Sequence, residues 1–226
     1  MGNRYDRNKT ALSEEECALL RTKRVLVAGC GGLGGYIIET LARIGVGHIT
    51  AVDGDVFDVT NLNRQLLSDE TVIGRPKAEI AVERMAKVNS EVSVTAVTEF
   101  ITEENAENLL SGHDLVIDAL DGVPARRILA AVCEKLNITI VHGAIGGWYG
   151  QVCVVPPGSG IFDILYPAGR RDGDNSAGNP PFTPAVTASL EATEAVKLLC
   201  GKPSSLEKKL LLVNLKSMEV ETIELG

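Results

Sequence analysis

Gly29, Gly31 and Gly34, in the stretch GCGGLGG, follow an apolar β-branched run and open a helical period, and Asp53 closes the next apolar run, 19 residues beyond Gly34. Glycines at this spacing allow a tight turn, a close approach of backbone to phosphate and close helix–sheet packing. A carboxylate at the following strand end suits the hydroxyls of a ribose. The constellation predicts a bound nucleotide, and taken alone it fits an NAD(P)-dependent enzyme most simply. Three cations point to more phosphate than a dinucleotide carries: Arg64 in NLNRQ, Lys77 in GRPK and Arg7 in RYDR. Lys77 falls in the first turn of a predicted helix, where a cation opposes the macrodipole by up to about 1 kcal/mol. An anionic ligand would offset that cost; the alternative is that these side chains merely lie over apolar surface with their heads in water. Asp118 and Asp121, in VIDALDG, leave another strand end. Mg²⁺ on a nucleotide usually takes one or two carboxylates besides phosphate oxygens and waters. Asp121, at the strand exit, is the better ligand candidate, with capping of the next helix as its alternative, and Asp118 can instead cap or pair locally.

For these residues to meet, the elements between them must bring several strand ends together. Ser13 and Glu16 form a capping box, so residues 14–22 read as a short helix. Strands are predicted at 24–29, 48–53, 92–98, 114–119 and 138–143, and helices at 36–45, 77–88, 103–110 and 124–136. Ile37, Ile38, Leu41 and Ile44 share one helical face, and Gly45 and Gly47 end that helix. Such alternation builds a Rossmann-like, doubly wound, mainly parallel sheet with helices on both faces and right-handed crossovers. Functional residues are then expected at the carboxyl ends of the strands. After residue 146 the pattern changes: GQVCVVPPG reads as a strand stopped by prolines, and 166–181 has no period and is long for a loop inside a compact domain. Thr183 is read as the cap of a helix with Pro184 at its first position, and KKLLLVN and MEVETIEL as a closing antiparallel pair. A single domain is expected over 1–226, with a nucleotide-binding half at 1–146 and an extension at 147–226 that carries the crossover loop.

Composition narrows the partners. Of 226 residues 45% are hydrophobic, enough for a sizeable core. With 22 basic and 30 acidic residues the net charge is −8, which argues against nucleic acid as a principal ligand. No stretch approaches the roughly 18 apolar residues of a membrane span, and the first residues are polar, so a cytoplasmic protein without a membrane partner is expected. The five cysteines are odd in number and form neither a disulfide framework nor a CxxC site, so reduced, mostly buried thiols are expected.

In order along the chain, RYDR, GCGGLGG, DGD, NLNRQ, GRPKAE and DALDG resemble the ThiF/MoeB/HesA family, bacterial relatives of the ubiquitin-activating enzymes. The likeness runs from Arg4 to about Gly150, and PPFTPAVTASLEATEAVKLLCGK resembles the family's late helix. It implies a single ThiF-type adenylation domain that works as an ATP- and Mg²⁺-dependent adenylyltransferase. In such enzymes a carboxylate attacks the α-phosphorus of ATP to give an acyl-adenylate and pyrophosphate. The carboxylate is typically the C-terminal glycine of a small ubiquitin-like sulfur carrier of MoaD or ThiS type, with a Gly-Gly tail, serving molybdopterin- or thiamine-like cofactor biosynthesis. Carried over by motif, the nucleotide lies on Gly31, Asp53 takes the ribose, Asn61, Arg64 and Lys77 surround the phosphates, and Asp121 holds Mg²⁺. Gly29, Gly32, Gly34, Asp55, Gln65 and Phe100 complete the implied nucleotide site. The resemblance also implies a homodimer in which Arg7 reaches the partner's phosphates. Since the attacking carboxylate is already ionised at neutral pH, no general base is required, and His48, His113 and His142 are read as structural or surface residues.

The chain also departs from that family. It has no CxxC pairs, so no structural zinc is expected. Loop 166–181 holds no cysteine, and Cys153 and Cys200 read as packing residues, so adenylation without transthiolation is expected. Gly122 stands where an asparagine commonly follows the metal-binding aspartate, and the single tryptophan, Trp148, reads as a lid, a platform or a core aromatic. Other readings remain. The same ATP site could activate a small-molecule or RNA-borne carboxylate; an NAD(P) oxidoreductase would need a hydride-side acid or base that the carboxyl-terminal half does not offer. A non-catalytic binding module would have no use for Arg7, Arg64, Lys77 and Asp121 together.

Overall fold

The computed structural model describes residues 2–167, 169 and 177–225. Among the described residues, eight strands form one sheet in the order β3-β2-β1-β4-β5-β6-β7-β8. Here β1 is Arg24–Ala28, β2 His48–Val52, β3 Ser93–Val97, β4 Leu115–Asp118, β5 Ile140–Gly146, β6 Tyr149–Val155, β7 Lys209–Asn214 and β8 Glu219–Glu224. The first five run parallel and the last three pair antiparallel, which is the doubly wound sheet with an antiparallel extension that the sequence predicts.

Strand side chains alternate between two cores, as a period of two requires. Val25, Val27, Leu115 and Ile117 face α2 (Gly32–Ile44), α3 (Lys77–Val88) and α7 (Phe182–Leu199). Leu26, Ala28 and Val116 face α4 (Ala106–Leu110), α5 (Val123–Leu136) and α6 (Ile161–Leu165). Ile37, Ile38 and Leu41 of α2 are wholly buried, each contributing about 1.5–3 kcal/mol, and this pins the helix that follows the glycine loop. The remaining helix, α1 (Glu14–Thr22), has the predicted capping box: the Glu16 amide donates to the Ser13 hydroxyl and the Ser13 amide to the Glu16 carboxylate. No described helix is long and apolar enough to cross a membrane.

Some boundaries differ from the reading of the sequence for local reasons. Helix α2 begins at Gly32 rather than residue 36, because its first turn is made of glycines that carry no periodic signal. Helix α4 begins at Ala106, since a turn in which the Thr102 amide donates to Asn105 Oδ1 takes up the preceding residues. The predicted strand at 138–143 runs on to Gly146, where Gly147 and Trp148 turn it into β6; Gly147 has φ +57°, as the first position of such a hairpin turn demands. The five-residue α6 is too short to show a period. Thr183 is not a cap: α7 starts at Phe182, and the buried Thr183 hydroxyl donates to the carbonyl of Gly147 at 2.7 Å. Within the predicted crossover loop, residues 168 and 170–176 lie outside the described residues.

Candidate nucleotide site

The sheet order reverses direction between β1 and β4, the place where a doubly wound sheet leaves a crevice at its carboxyl ends. The first motif folds there. Gly29 follows β1 with φ +98°, and a Cβ on it would sit 2.6 Å from the carbonyl oxygen of Ala119, the residue after β4. Gly34 is tighter: a Cβ there would lie 1.8 Å from the Gly29 carbonyl oxygen. The loop is thus folded against its own helix, and Gly31, the N-cap of α2, and Gly32 line a cleft of about 710 Å³.

Asp53 enters from the end of β2. Its carboxylate accepts the amide of Cys30 at 2.7 Å and that of Asp55 at 2.8 Å, which fixes its orientation toward the glycine loop. Burial pushes this carboxyl above its usual pKa, opposed by those two amides and the charge of Lys77. Lys77 stands at the start of α3 as predicted and is only 7% exposed. Its ammonium pairs with Asp55 Oδ2 at 3.2 Å, and its amide donates to the Asp55 carbonyl. Lys77 therefore does not snorkel; it points into the cleft it lines.

Arg64 and Gln65 come from the short 3-10 turn Val59–Asn61 and the bend after it. Arg64 Nη1 donates to the Thr60 carbonyl at 3.0 Å and to Asn63 Oδ1 at 2.9 Å, while its Nε lies over Gly32 at the start of α2. Gln65 is buried beside Gly31, and its Oε1 has no hydrogen-bond partner among the described residues. Phe100, 62% exposed, lays its ring over Gly54 at the cleft's edge.

Asp121 is exposed and lines the cleft. Gly122, not Asp121, is the N-cap of α5, so the capping alternative fails. Asp118 is otherwise engaged. It is wholly buried, its Oδ2 lies 2.7 Å from His142 Nδ1 and 3.6 Å from Arg126 Nε, and its Oδ1 accepts the Leu120 amide. Burial alone would raise the Asp118 carboxyl, but the Arg126 charge and the His142 hydrogen bond outweigh it and hold the group below the usual carboxylate value. Burial pushes His142 below the ordinary histidine range despite Asp118, so the imidazole is neutral.

Ten of the expected site residues thus line one cleft: Gly29, Gly31, Gly32, Asp53, Asp55, Arg64, Gln65, Lys77, Phe100 and Asp121. Gly34 and Asn61 stand behind it. Asn61 is buried; its Oδ1 accepts the Asp58 amide, and its carbonyl accepts the amides of Arg64 and Gln65, so it braces the turn that presents them. Arg7 is exposed and does not line the cleft of its own chain. Its neighbours in RYDR are anchored: Arg4 pairs with Glu91 at 3.2 Å, the buried Tyr5 packs under Gly45 and accepts from Asn89, and Asp6 pairs with Lys9. Trp148 is 45% exposed and packs on Phe182, with ring centroids 4.6 Å apart, so it is not a core aromatic.

Sequence reasoning missed Arg126, Tyr149, Gln151 and Tyr166 in the cleft wall. For Tyr149 and Gln151 a signal existed, since alternate residues of β6 must share a face. Arg126 and Tyr166 had none, because their partners lie on other elements.

The chain matches the family described as the ThiF family over residues 5–226. It is 35% identical over 208 residues to the SAMP-activating enzyme E1 of Haloferax volcanii, covering 90% of this chain and 77% of that one. It is 34% identical over 195 residues to the molybdopterin-synthase adenylyltransferase of Escherichia coli, covering 82% of this chain and 77% of that one. It is 40% identical over 138 residues to the tRNA threonylcarbamoyladenosine dehydratase of Haemophilus influenzae, covering 61% of this chain and 52% of that one.

Proposed function

We propose, from the premise that this chain belongs to the ThiF family, that it activates the C-terminal glycine of a small ubiquitin-like sulfur carrier by adenylation in the cleft at the strand ends. The observation that carries this reading is the convergence of Asp53, Arg64, Lys77 and Asp121 with the glycine loop on a single cleft. Asp53 orients the ribose, with its carboxylate already steadied by two amides. Arg64 and Lys77 stabilise charge on the phosphates as the carrier's carboxylate attacks the α-phosphorus and pyrophosphate leaves, which is preorganised electrostatic catalysis. Gln65 offers its unpartnered Oε1 to a donor on the nucleotide. The far wall brings Gly146, at the end of β5, and Tyr149, at the start of β6, to the same cleft, on the side from which the carrier's tail would enter.

Asp121 would hold Mg²⁺. Among the described residues no group of three or more His, Cys, Asp or Glu side chains could hold a metal by itself, so phosphate oxygens and water would complete its shell, which is how nucleotide-bound magnesium is ordinarily held. When bound, the ion neutralises charge on the phosphates. The active form is a homodimer in which Arg7 completes the partner's site; its exposure away from its own cleft supports that role. The matched span acts as one adenylation unit, with β6, β7 and β8 forming the carrier side.

A second reading, a carboxylate borne on RNA at the same ATP site, draws on the 40% identity to the Haemophilus influenzae relative, named for a tRNA nucleoside. Pyrophosphate–ATP exchange separates the two. Exchange that needs a carrier with an intact Gly-Gly tail, and fails with the tail removed, is the expected result; exchange driven by tRNA and indifferent to the carrier would replace the first reading with the second.

A further inference from the structure

One buried guanidinium ties together the loop that presents Asp121, strand β5 and the residue that follows α6. Arg126, in the first turns of α5, is 6% exposed. Its Nη2 donates to the carbonyl of Leu120 and, at 3.3 Å, to that of Gly143, while Nη1 donates to the Tyr166 hydroxyl. Its Nε faces Asp118 Oδ2 at 3.6 Å. Leu120 immediately precedes Asp121, and the Leu120 amide donates to Asp118 Oδ1 at 3.1 Å. Both backbone polar groups of Leu120 are therefore held, one by Asp118 directly and the other by the arginine that pairs with Asp118. The neighbouring Arg127 bonds the Tyr166 carbonyl and Asp163, so α5 grips the start of the crossover segment at two points.

We infer that Arg126 is a positioning residue for the nucleotide-bound metal: by clamping the Leu120 carbonyl it sets where Asp121 stands, and by sharing the same guanidinium with Gly143 and Tyr166 it aligns that carboxylate with the carrier side of the cleft. The inference rests on the reading that Asp121 holds magnesium. A lysine cannot take this place. An ammonium on a flexible stem has no planar fork with which to reach two carbonyls, a hydroxyl and a carboxylate at fixed angles. Outer groups that orient a metal ligand typically change metal affinity by about 10–100-fold when altered.

The test uses the full chain, a fluorescent ATP analogue and Mg²⁺ titrated by nucleotide binding, with melting temperature recorded in parallel. Arg126→Lys keeps the charge beside Asp118 and removes the fork. It should raise the Mg²⁺ concentration at half-saturation by about tenfold and leave metal-free nucleotide binding as in the unaltered chain. In an Asp121→Asn background the same change should add nothing. Equal weakening with and without Mg²⁺, or an undiminished loss in the Asp121→Asn background, would make Arg126 merely structural and overturn the inference. An Asp121→Asn chain whose Mg²⁺ requirement is unchanged would overturn the magnesium reading itself. If Arg126→Lys does not fold, Tyr166→Phe loosens the same guanidinium by one acceptor; a smaller shift in the same direction supports the inference, and no shift overturns it.

Discussion

The open cleft and the polar core behind it, which come within three residues of each other along the chain at Asp118 and Asp121, use similar side chains in opposite ways. In the cleft, Asp53, Lys77, Arg64 and Asp121 are each held by few contacts and border open volume. In the core, Asp118, Arg126 and His142 are bonded to one another and to backbone carbonyls and amides, with almost no exposure. Glu191 of α7 lies there too, wholly buried against Gly143, with neither carboxylate oxygen hydrogen-bonded among the described residues. Burial raises this carboxyl well above its ordinary value, reinforced by Asp118 and opposed by Arg126, which favours its protonated form. The difference lies in where the polar atoms point: those lining the cleft stay open to it, while those behind it turn on one another, with Arg126 Nε and both Glu191 oxygens left without a hydrogen bond among the described residues.

Substitutions should therefore separate the two regions. Arg64→Ala and Lys77→Ala should each lower turnover by about two to three orders of magnitude, as loss of a preorganised donor does, with little change in melting temperature. Unchanged turnover in both would break the assignment of the cleft. Gly34→Ala acts on the frame: its Cβ would overlap the Gly29 carbonyl, and it should destabilise by more than the roughly 1–3 kcal/mol of ordinary overpacking. Gly31→Ala has its nearest neighbour at 3.6 Å and should keep the fold while weakening nucleotide binding, so thermal melts with and without ATP distinguish the pair.

A third result would sharpen the boundary of the cleft. Mixing Arg7→Ala with Lys77→Ala subunits should restore about a quarter of full activity, since random exchange in a two-fold dimer makes half the dimers mixed, each with one intact site. No recovery on mixing would place Arg7 outside the partner's site.

The smallest effect concerns Glu191. Its folded pKa is raised, so the folded state keeps a proton that the unfolded state releases. Stability is then full below the ordinary carboxylate range and drains as pH climbs toward the raised value, by at most about 1.4 kcal/mol per pH unit. Glu191→Gln should remove that slope, and its melting temperature relative to the parent chain should rise over the range of pH above the ordinary carboxylate value. Parallel melting curves across that range would show that Glu191 is not a buried neutral acid.

The same contrast explains what could be read from the amino-acid sequence. Asp53, Lys77 and Asp121 interrupt apolar periods at strand and helix ends, where residue type and spacing alone mark them, and the alternating periods of 24–143 carry the parallel half of the sheet. Arg126, His142 and Glu191 sit inside regular elements, where a polar residue looks like one more surface position. What makes them a network is the pairing of β4 with β5 and the packing of α7 on β5, contacts between distant segments that no local pattern records. Thr183 misled for a related reason: a threonine before a proline reads as a helix cap, but the Gly147 carbonyl, brought in by the β5–β6 hairpin, takes its hydroxyl.

The central claim is that the cleft directs attack at the α-phosphorus of ATP. The most direct measurement follows α-labelled ATP incubated with Mg²⁺, the intact chain and a carrier ending in Gly-Gly, and identifies the labelled and unlabelled phosphorus products. Label in the adenylate fraction with pyrophosphate as the co-product, absent in Lys77→Ala, is the predicted result. Label recovered as ADP with inorganic phosphate would mean attack at the γ-phosphorus and would contradict the account.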